Sequence, residues 1–378
     1  MIKLVALYII RFVLSLIKIF PLKKKCVFFM SYNGTQYSCN PRAIYEYMDS
    51  HYADFTFVWC AKESVCVKSC SEKNNSVTVS PNSLKYFLLL ISSSYVFVNI
   101  ELPTYIPKKK NAVWVNTWHA GGAFKKVEYP SEHLYARVTR KIQARQTDFY
   151  ISSCRKFTEV MSASTGISKE KFLEIGLPRN DVFFDSDEKK NLISKNVRLQ
   201  YKIREEDFVL LYAPTFRGDA THGQFEMKLD IPKIKSALNN RFGKNVVFLV
   251  RSHHAIKNYF ERYQDVVDVT SHTDMQELIL AADALITDYS SCIYDFALTK
   301  KPAFLFTPDL EIYLKERGFY MNIGDWPYPY AETNDELERI ILSFDEKKSR
   351  EKINSYFQIV SSYDFGTACK ELLRKIYG

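Results

Sequence analysis

The chain has 378 residues, of which 47% are hydrophobic and 25% are charged, and this composition excludes long disordered segments. Glycine and proline are scarce, with 12 and 13 residues, which excludes collagen-like and low-complexity structure. The formal net charge of +9 favours an anionic partner, either a phosphate compound, a membrane surface or a nucleic acid. The cysteines have no C-x-x-C spacing and no zinc-finger histidines beside them, so we expect reduced thiols and no metal site.

Residues 1–24 are predicted to form an amphipathic helix that ends at Pro21. The run is apolar except for Lys3, Arg11 and Lys18, which fall on one narrow helical face. Charges within the apolar run argue against a signal peptide. A membrane-spanning helix would place Arg11 near the bilayer centre, at a cost of about 2.5–3.5 kcal/mol. We therefore expect a helix in the plane of the membrane with all three charges at the headgroups, and a spanning anchor or a buried helix as alternatives.

Beyond residue 25, short apolar runs alternate with helical patterns, which is typical of parallel strands covered by helices on both faces. The pattern predicts two doubly wound, Rossmann-like α/β domains with a cleft between them. The polar stretch Ser186–Arg204 lacks strand signals, so it predicts a boundary between an N-terminal domain, residues 25–190, and a C-terminal domain, residues 191–378. The predicted strands are Cys26–Met30, Phe55–Cys60, Ser76–Val79, Tyr95–Asn99, Ala112–Thr117, Asp148–Ser152, Asp207–Tyr212, Asn245–Arg251, Val266–Asp268, Ala284–Thr287 and Ala303–Phe306.

Trp118 and His119 follow the predicted strand Ala112–Thr117, just ahead of a Gly-Gly pair. Open α/β sheets bind their ligands at the carboxyl ends of strands. The glycine pair would let backbone approach a ligand closely, and Lys125 and Lys126 would offer charge to a phosphate. The alternative is a loop histidine beside an ordinary turn.

Two strands of the second predicted domain also run into polar residues. One ends just before Thr215 and Arg217, and the Arg217 guanidinium has the geometry to bind a phosphate. The other ends at Arg251, which is followed by His253 and His254. Two histidines and an arginine at a strand end favour function, with a plain strand–loop junction and a buried histidine as the alternatives.

A fourth strand end places hydroxyl groups at the start of a helix. Thr287 ends the strand, and Asp288, Ser290 and Ser291 follow it. Backbone N–H groups and hydroxyls at a helix N-terminus bind anions. Helix capping alone would need only one of these residues, so the pattern favours a phosphate site.

Two further segments are candidates for function. The stretch Asp309–Asn322 is dense in aromatic and charged residues and contains Arg317 and Gly318. It is typical of a loop that packs over a base or a ribose, or of a surface lid. The segment Gly176–Asp181 lies at the end of the first predicted domain, where an interdomain turn is an equally good explanation.

Taken together, these motifs resemble the CDP-glycerol glycerophosphotransferase family, the teichoic acid primases and polymerases of bacterial cell walls. The resemblance covers most of residues 26–345 and is specific because the signatures occur in one order. The family usually reads Trp-His-Gly-Thr-Pro where this chain has Trp118-His119-Ala120-Gly121-Gly122. The signatures are Tyr37-Ser38-Cys39-Asn40-Pro41, Trp118-His119 with Lys125-Lys126, Gly176 with Pro178-Arg179-Asn180-Asp181, Tyr212-Ala213-Pro214-Thr215, Arg251 with His253, Thr287-Asp288-Tyr289-Ser290-Ser291, and Arg317-Gly318-Phe319-Tyr320.

The resemblance implies a two-domain GT-B fold and transfer of glycerol phosphate from CDP-glycerol to a hydroxyl of a lipid-linked cell-wall or capsular glycan, with release of CMP. It implies that His119 and His253 are catalytic, and we expect His119 to act as the base and His253 to stabilise phosphate charge. The expected donor-binding residues are Arg251, Thr287, Asp288, Ser290, Ser291, Thr215, Arg217, Arg317 and Gly318, and the expected acceptor-side residues are Asn40, Trp118, Lys125 and Lys126.

The resemblance also implies no cofactor, no metal and a peripheral position on the cytoplasmic face of the cell membrane. The positive charge, including Lys23–Lys25, suits an anionic membrane surface, and nothing in the sequence resembles a nucleic-acid motif. The length favours a primase or a capsule glycerol-phosphate transferase over a polymerase. The alternatives are a CDP-ribitol ribitolphosphotransferase, a GT-B sugar-nucleotide glycosyltransferase, and a non-catalytic membrane or nucleic-acid binding module.

Overall fold

The chain divides into two compact units, each built on one parallel sheet, so the prediction of two α/β domains is confirmed. Unit 1 comprises residues 1–120, 127–181 and 362–378, and unit 2 comprises residues 121–126 and 182–361. The computed structural model describes residues 2–52, 54–65, 67, 76–127, 133–215, 228–252 and 266–377.

Among the described residues, unit 1 contains a seven-stranded sheet in which every pair of neighbours is parallel. The strands are β1 (Lys23–Met30), β2 (Thr56–Cys60), β3 (Ser76–Val79), β4 (Ser93–Val98), β5 (Val113–Asn116), β6 (Phe149–Ser152) and β7 (Phe172–Glu174). Their spatial order is β3-β2-β1-β4-β5-β6-β7. The order therefore changes direction between β1 and β4, and ligands bind at such a point in sheets of this class.

Unit 2 contains a six-stranded parallel sheet in the described part of the chain. Its strands are β8 (Phe208–Ala213), β9 (Val246–Val250), β10 (Val266–Asp268), β11 (Ala284–Thr287), β12 (Ala303–Phe306) and β13 (Tyr330–Ala331). The spatial order β10-β9-β8-β11-β12-β13 changes direction between β8 and β11.

Helices cover both sheets, and their starts are set by short polar caps. Ser83, for example, accepts a hydrogen bond from Tyr86 N, and Thr333 and Glu336 form a reciprocal capping box. The helices are α1 (Ile2–Ser15), α2 (Cys39–His51), α3 (Leu84–Ser92), α4 (Leu134–Gln146), α5 (Arg155–Thr165), α6 (Asp187–Gln200), α7 (Ile231–Phe242), α8 (Met275–Ala281), α9 (Cys292–Ala297), α10 (Leu310–Glu316), α11 (Asn334–Leu342), α12 (Glu346–Val360) and α13 (Ala368–Tyr377).

Strand β1 shows how the unit 1 sheet is buried on both faces. Val27 and Phe29 belong to one buried cluster, whereas Phe28 and Met30 belong to another. Successive side chains of a strand point to opposite faces, so each face carries half of the apolar run. The continuous apolar pattern of this segment therefore predicted a strand covered on both sides.

The C-terminal helix α13 packs on unit 1, although the sequence assigned residues 191–378 to the second domain. Leu372 and Leu373 lie in the same buried cluster as Val27. The Asp181 carboxylate accepts hydrogen bonds from the Ala368 and Cys369 N–H groups, at 2.9 and 2.8 Å. A carboxylate at a helix N-terminus is favourable for the helix dipole, so Asp181 anchors this helix to the unit.

The stretch Ser186–Arg204, where the sequence predicted the domain boundary, is mostly helix α6. Ser186 caps the helix by accepting a hydrogen bond from Lys189 N, and acidic residues fill the first turn. Only Val197 of the helix is buried, so the apolar periodicity was too weak to reveal it. The chain instead passes between the two units after residues 120, 126, 181 and 361.

Helix α1 contacts the rest of unit 1 through Arg11. The Arg11 guanidinium donates to the carbonyls of Thr104 and Ile106, the latter at 3.2 Å, and burial lowers the pKa of Arg11. The expectation that Arg11 lies among lipid headgroups is therefore wrong. In the described part of the chain, no helix has both the length and the apolar content that crossing a bilayer requires. The opposite side of α1 exposes Ile2, Val5, Ile9, Phe12 and Val13.

Candidate functional site

The first candidate cluster lies at the carboxyl ends of β1, β4 and β5, where the strand order of unit 1 changes direction. Tyr32 follows β1, Asn99 follows β4, and His119 follows β5. Tyr32 N donates to the Asn99 side-chain oxygen at 2.8 Å, and His119 Nδ1 lies 2.9 Å from the Asn99 carbonyl. The parallel topology therefore brings three separate segments to one point, as the sequence predicted for His119.

The hydrogen bond to Asn99 fixes which nitrogen of His119 is basic. A backbone carbonyl only accepts, so Nδ1 carries the proton in that bond. The lone pair of the neutral imidazole is then on Nε2. The His119 ring also packs against Trp118, at 4.4 Å between centroids, and against Tyr32, at 5.8 Å. This half-buried imidazole has the tautomer and restraint that a general base needs.

Asn40 and Trp118, predicted on the acceptor side, lie directly beside His119. Asn40 is fully buried, and its Nδ2 donates to the carbonyls of Thr117 and Trp118, both at 3.0 Å. Its Oδ1 accepts from Arg179 N at 3.1 Å. Trp118 is buried, with a left-handed φ of 51°. The Asn40 amide is therefore bonded to backbone atoms of the His119 loop and of Arg179 in this structure.

The second candidate cluster lies at the carboxyl ends of β8 and β11, where the strand order of unit 2 changes direction. Both Asp288 carboxylate oxygens lie 2.9 Å from Thr215 N, and Asp288 Oδ1 accepts from Thr215 Oγ1 at 2.6 Å. The same carboxylate accepts from Tyr289 N. Asp288 therefore joins the two loops, which is a positioning role for a residue that the sequence assigned to donor binding.

The turn after Asp288 presents two half-buried serines. The Ser290 hydroxyl accepts from Cys292 N at 3.4 Å, and Ser291 precedes α9 without making a side-chain capping bond. Thr287 is fully buried and donates to the Ala213 carbonyl at 2.7 Å. Thr287 is therefore part of the strand packing, whereas Ser290 and Ser291 are the hydroxyls that the turn offers to an anion.

Lys125 and Lys126 belong to unit 2, although the sequence placed them in the first domain. Lys126 N donates to the Gly318 carbonyl at 3.2 Å, and Lys125 forms a bridge with Phe319. A Cβ atom on Gly318 would lie 3.4 Å from the Lys126 side chain. The structure therefore brings the two lysines to Gly318, which the sequence assigned to donor binding.

An aromatic stack joins Phe319, which forms the bridge with Lys125, to the turn that carries Ser290 and Ser291. The Tyr289 ring lies 3.9 Å from Tyr313 and 5.6 Å from Phe319, measured between centroids. The Tyr289 hydroxyl donates to Asp309 Oδ1 at 3.0 Å. The predicted irregular loop 309–322 thus contains helix α10 and packs against the turn. Stacked rings of this kind fix loop positions, and the aromatic density of the loop was their sequence signal.

The glycine pair after His119 packs against aromatic rings within unit 2. A Cβ atom on Gly121 would lie 2.4 Å from the Tyr294 ring, which real side chains do not tolerate. Gly122 has φ of +66°, and its added Cβ would lie 2.6 Å from Phe124. The sequence predicted that the backbone of this glycine pair approaches a ligand closely. In the described residues, this backbone instead lies close to the side chains of Tyr294 and Phe124.

The remaining predicted site residues differ in their exposure, and two of them are not described by the structure. Arg251 follows β9, beside β8, and is half-buried, with its N–H bonded to the Tyr212 carbonyl at 2.9 Å. Arg317 is exposed at the end of α10. Arg217 and His253 lie outside the described residues, so their predicted roles stay predictions.

Sequence reasoning missed Arg179 and Asn99 as parts of the His119 cluster. Arg179 was noted within a candidate motif without a role, and its guanidinium donates to the His119 carbonyl at 2.9 Å. Asn99 contacts His119 through its backbone carbonyl. Bonds to backbone leave no residue-type signal, so no pattern in the sequence could have paired these residues.

Two observations bear on alternative chemistry. Burial raises the pKa of the Cys292 thiol, next to the serine turn, to about 11, so this thiol is neutral and weakly nucleophilic near pH 7. Across the described ranges, no group of three or more His, Cys, Asp and Glu side chains is placed to hold a metal ion.

The sequence matches the family described as CDP-glycerol:poly(glycerophosphate) glycerophosphotransferase over residues 11–378. A teichoic acid poly(glycerol phosphate) polymerase of Bacillus spizizenii is 30% identical, and the match covers 99% of this chain and 97% of that protein. A polymerase of the same description from Staphylococcus epidermidis is 32% identical over 92% of this chain. The chain spans 49% of that relative's length but nearly all of the Bacillus one.

Solved structures show the same similarity. The wall teichoic acid polymerase TagF has a TM-score of 0.83 at 30% sequence identity, over 100% of this chain and 95% of that one. A histidine variant of TagF soaked with CDPG matches equally well, with a TM-score of 0.83 at 29% identity. The similarity therefore extends over the residues of both units.

Proposed function

The chain belongs to the CDP-glycerol:poly(glycerophosphate) glycerophosphotransferase family and is therefore a glycerophosphotransferase, and we propose that it acts on a lipid-linked glycan acceptor. In the proposed reaction, an acceptor hydroxyl attacks the β-phosphorus of CDP-glycerol. A new oxygen–phosphorus bond forms, the bond to the CMP oxygen breaks, and CMP leaves. The product carries one more glycerol phosphate than the acceptor did.

The observation that carries this proposal is the His119–Asn99 hydrogen bond at the carboxyl end of the unit 1 sheet. It places the imidazole lone pair on Nε2, and this is the nitrogen that would take the proton of the acceptor hydroxyl as the new bond forms. The ring is held by its bond to Asn99 and by its neighbours Trp118 and Tyr32, so little reorganisation is needed at the moment of transfer.

We propose that the serine turn of unit 2 binds the donor diphosphate. The Ser290 and Ser291 hydroxyls and the exposed Lys126 ammonium are the groups that suit an anion there. Asp288 has a supporting role, since its oxygens already accept bonds from Thr215 and Tyr289. The predicted phosphate role of His253 completes this part of the proposal.

A donor panel tests the reaction. The protein is incubated with CDP-glycerol, CDP-ribitol or a UDP-sugar, together with a synthetic lipid-linked acceptor, and the products are identified by mass spectrometry. Of the three donors, we expect only CDP-glycerol to react, giving CMP and an acceptor that is heavier by one glycerol phosphate. Ribitol phosphate or sugar on the acceptor would instead support a ribitolphosphotransferase or a glycosyltransferase.

A matched pair of histidine variants tests the base. His51 on α2 also has Nδ1 bonded to a carbonyl, that of Tyr47 at 2.8 Å, but it is exposed. We expect His119→Ala to lower kcat by about 10²–10⁴ while His51→Ala has little effect. Equal activity of the two folded variants would remove His119 from the mechanism.

We further propose that the enzyme binds the cytoplasmic face of the membrane peripherally through α1. The support is the side of α1 opposite Arg11, where Ile2, Ile9 and Phe12 are 87%, 59% and 71% exposed. A continuous apolar helix face on the protein surface suits insertion among lipid headgroups, and nearby lysines suit anionic lipid.

Vesicle sedimentation tests the membrane proposal. Ile9→Ser with Phe12→Ser removes apolar side chains from the α1 face, and Leu192→Ser with Ile359→Ser removes two that are 59% and 69% exposed in unit 2. Partly burying each side chain in lipid contributes about 1 kcal/mol or more, so the α1 pair should bind anionic vesicles about 10- to 100-fold more weakly. Equal binding by both double variants would place the membrane contact elsewhere.

A further inference from the structure

Two buried polar side chains hold the loop that carries His119. Asn40 lies in the first turn of α2, and Arg179 lies in the segment after β7. Asn40 is fully buried and Arg179 is 7% exposed. Arg179 is 60 residues from His119 in sequence, so the contact between them exists only in the fold.

The two side chains bind three consecutive carbonyls of the loop. Asn40 Nδ2 donates to Thr117 O and Trp118 O, and Arg179 Nη1 donates to His119 O at 2.9 Å. The two are also joined to each other, because Arg179 N donates to Asn40 Oδ1. Every carbonyl from Thr117 to His119 is therefore tied to one connected pair.

We propose that Asn40 and Arg179 are positioning residues for His119, an inference that rests on the proposed role of His119 as the base. The three carbonyl bonds fix the backbone from which the His119 side chain projects. The Asn99 carbonyl then fixes the rotation of the ring. A displacement of about 1 Å in a reacting group costs on the order of 10²-fold in rate, so this restraint matters for turnover.

Arginine suits this position better than lysine. Arg179 Nη1 lies 3.2 Å from Cys39 Sγ as well as 2.9 Å from the His119 carbonyl, so a planar group with fixed donor directions bridges α2 and the loop. A lysine ammonium keeps the charge but has a shorter reach and no fixed plane. Arg179→Lys should therefore restore part of the activity that Arg179→Met loses.

The test compares Arg179→Met, Arg179→Lys and Asn40→Ser with Arg140→Met. Arg140 also donates to a backbone carbonyl of unit 1, that of Ala163 at 2.8 Å, on the surface. We expect Arg179→Met and Asn40→Ser to lower kcat about 10- to 100-fold, with KM for CDP-glycerol changed less than about twofold. Arg140→Met should match the wild type.

The pH profile of kcat/KM separates positioning from simple stability. The Arg179 cation is bonded to the backbone carbonyl of His119, and a positive charge near an imidazole opposes its protonation, so Arg179→Met should move the acid limb to higher pH, whereas Arg179→Lys should move it less. If Arg179→Met does not fold, Asn40→Ser and Arg179→Lys decide the question by kcat. Melting curves identify the folded variants.

Two results would overturn the inference in distinguishable ways. If the folded Arg179 and Asn40 variants match Arg140→Met in kcat and pH profile while His119→Ala is inactive, the positioning role is refuted and the base role stands. If His119→Ala is itself active, the proposed base is wrong and the positioning role falls with it.

Discussion

Replacing Thr215 by valine tests whether the bond to Asp288 holds the functional end of the unit 2 sheet. Thr215 Oγ1 donates to a carboxylate oxygen at 2.6 Å, and valine removes this hydroxyl while keeping the side-chain volume. A hydrogen bond to a charged group contributes about 1.5–3 kcal/mol. Thr215 is half-buried, so we expect the free energy of unfolding to fall by about 1.5–2 kcal/mol. In a domain of this size that lowers Tm by roughly 3–8 °C.

Thr299→Val is the matched control. Thr299 Oγ1 also donates at 2.6 Å and is half-buried in the same unit, but its acceptor is the neutral Phe296 carbonyl, and its second bond, accepted from Lys301 N, is long at 3.3 Å. A neutral bond contributes about 0.5–1.5 kcal/mol, so the control should lose less stability than Thr215→Val. Urea unfolding followed by circular dichroism measures both. A loss for Thr215→Val no greater than for the control would refute the assigned strength of the bond to Asp288.

Three further outcomes are expected. The double change Ser290→Ala and Ser291→Ala should weaken CDP-glycerol binding about 10²-fold or more, since two hydroxyls facing a charged diphosphate are lost; unchanged affinity in calorimetry would remove the turn from the donor site. His253→Ala should lower turnover far more than His254→Ala, because the sequence predicts a phosphate role for His253 alone, and the reverse order in steady-state rates would exchange the two assignments. Burial lowers the pKa of Lys301 from 10.5 to about 8, so between these two pH values the unfolded chain binds a proton that the folded chain has lost. The free energy of unfolding should therefore rise with pH over this range in the wild type relative to Lys301→Met.

The strands could be predicted from sequence because both faces of each sheet are buried. Ala284–Thr287 and Ala303–Phe306 are buried throughout and have the predicted bounds in the structure. The missed strands, Phe172–Glu174 and Tyr330–Ala331, have three and two residues. Such short segments carry no periodicity of their own, and they become strands only by pairing with β6 and β12.

The C-terminal helices show a different limit. The sequence pattern over Glu351–Tyr377 predicts one continuous last helix, but in the structure α12 ends at Val360 and α13 begins at Ala368. Ser361 is left-handed, with φ of 52°, and ends the first helix. The second helix begins where Asp181 accepts its first N–H groups, and a partner so distant in sequence is visible only in the fold.

The sequence indicated those residues of the candidate site that directly follow strands. It did not indicate those that act by binding backbone atoms. His119, Thr215 and Ser290 all come directly after strand signals, and parallel topology brings such ends to one edge of a sheet. Arg179 acts on a carbonyl, which every residue type possesses. Gly121 was assigned to ligand approach because glycine marks any close contact, and the sequence does not say that the contact is the Tyr294 ring.

Backbone strain is concentrated at the His119 cluster. Tyr32, Asn33, Cys39 and Trp118 all have left-handed φ values, and they are half of the eight non-glycine residues with positive φ in the described chain. Such conformations cost about 1–3 kcal/mol each and persist only when surrounding bonds determine them.

The bonds that offset this strain come from residues that also hold His119 or its loop. The Asn99 side chain binds the N–H of strained Tyr32, and the Asn40 side chain binds the carbonyl of strained Trp118. In unit 2, none of residues 287–291 has a positive φ. The difference follows from the proposed chemistry: a base must present one lone pair in one direction, whereas a diphosphate has several oxygens and accepts donors from many directions. The strained backbone of unit 1 is therefore where stability and turnover should be most tightly coupled.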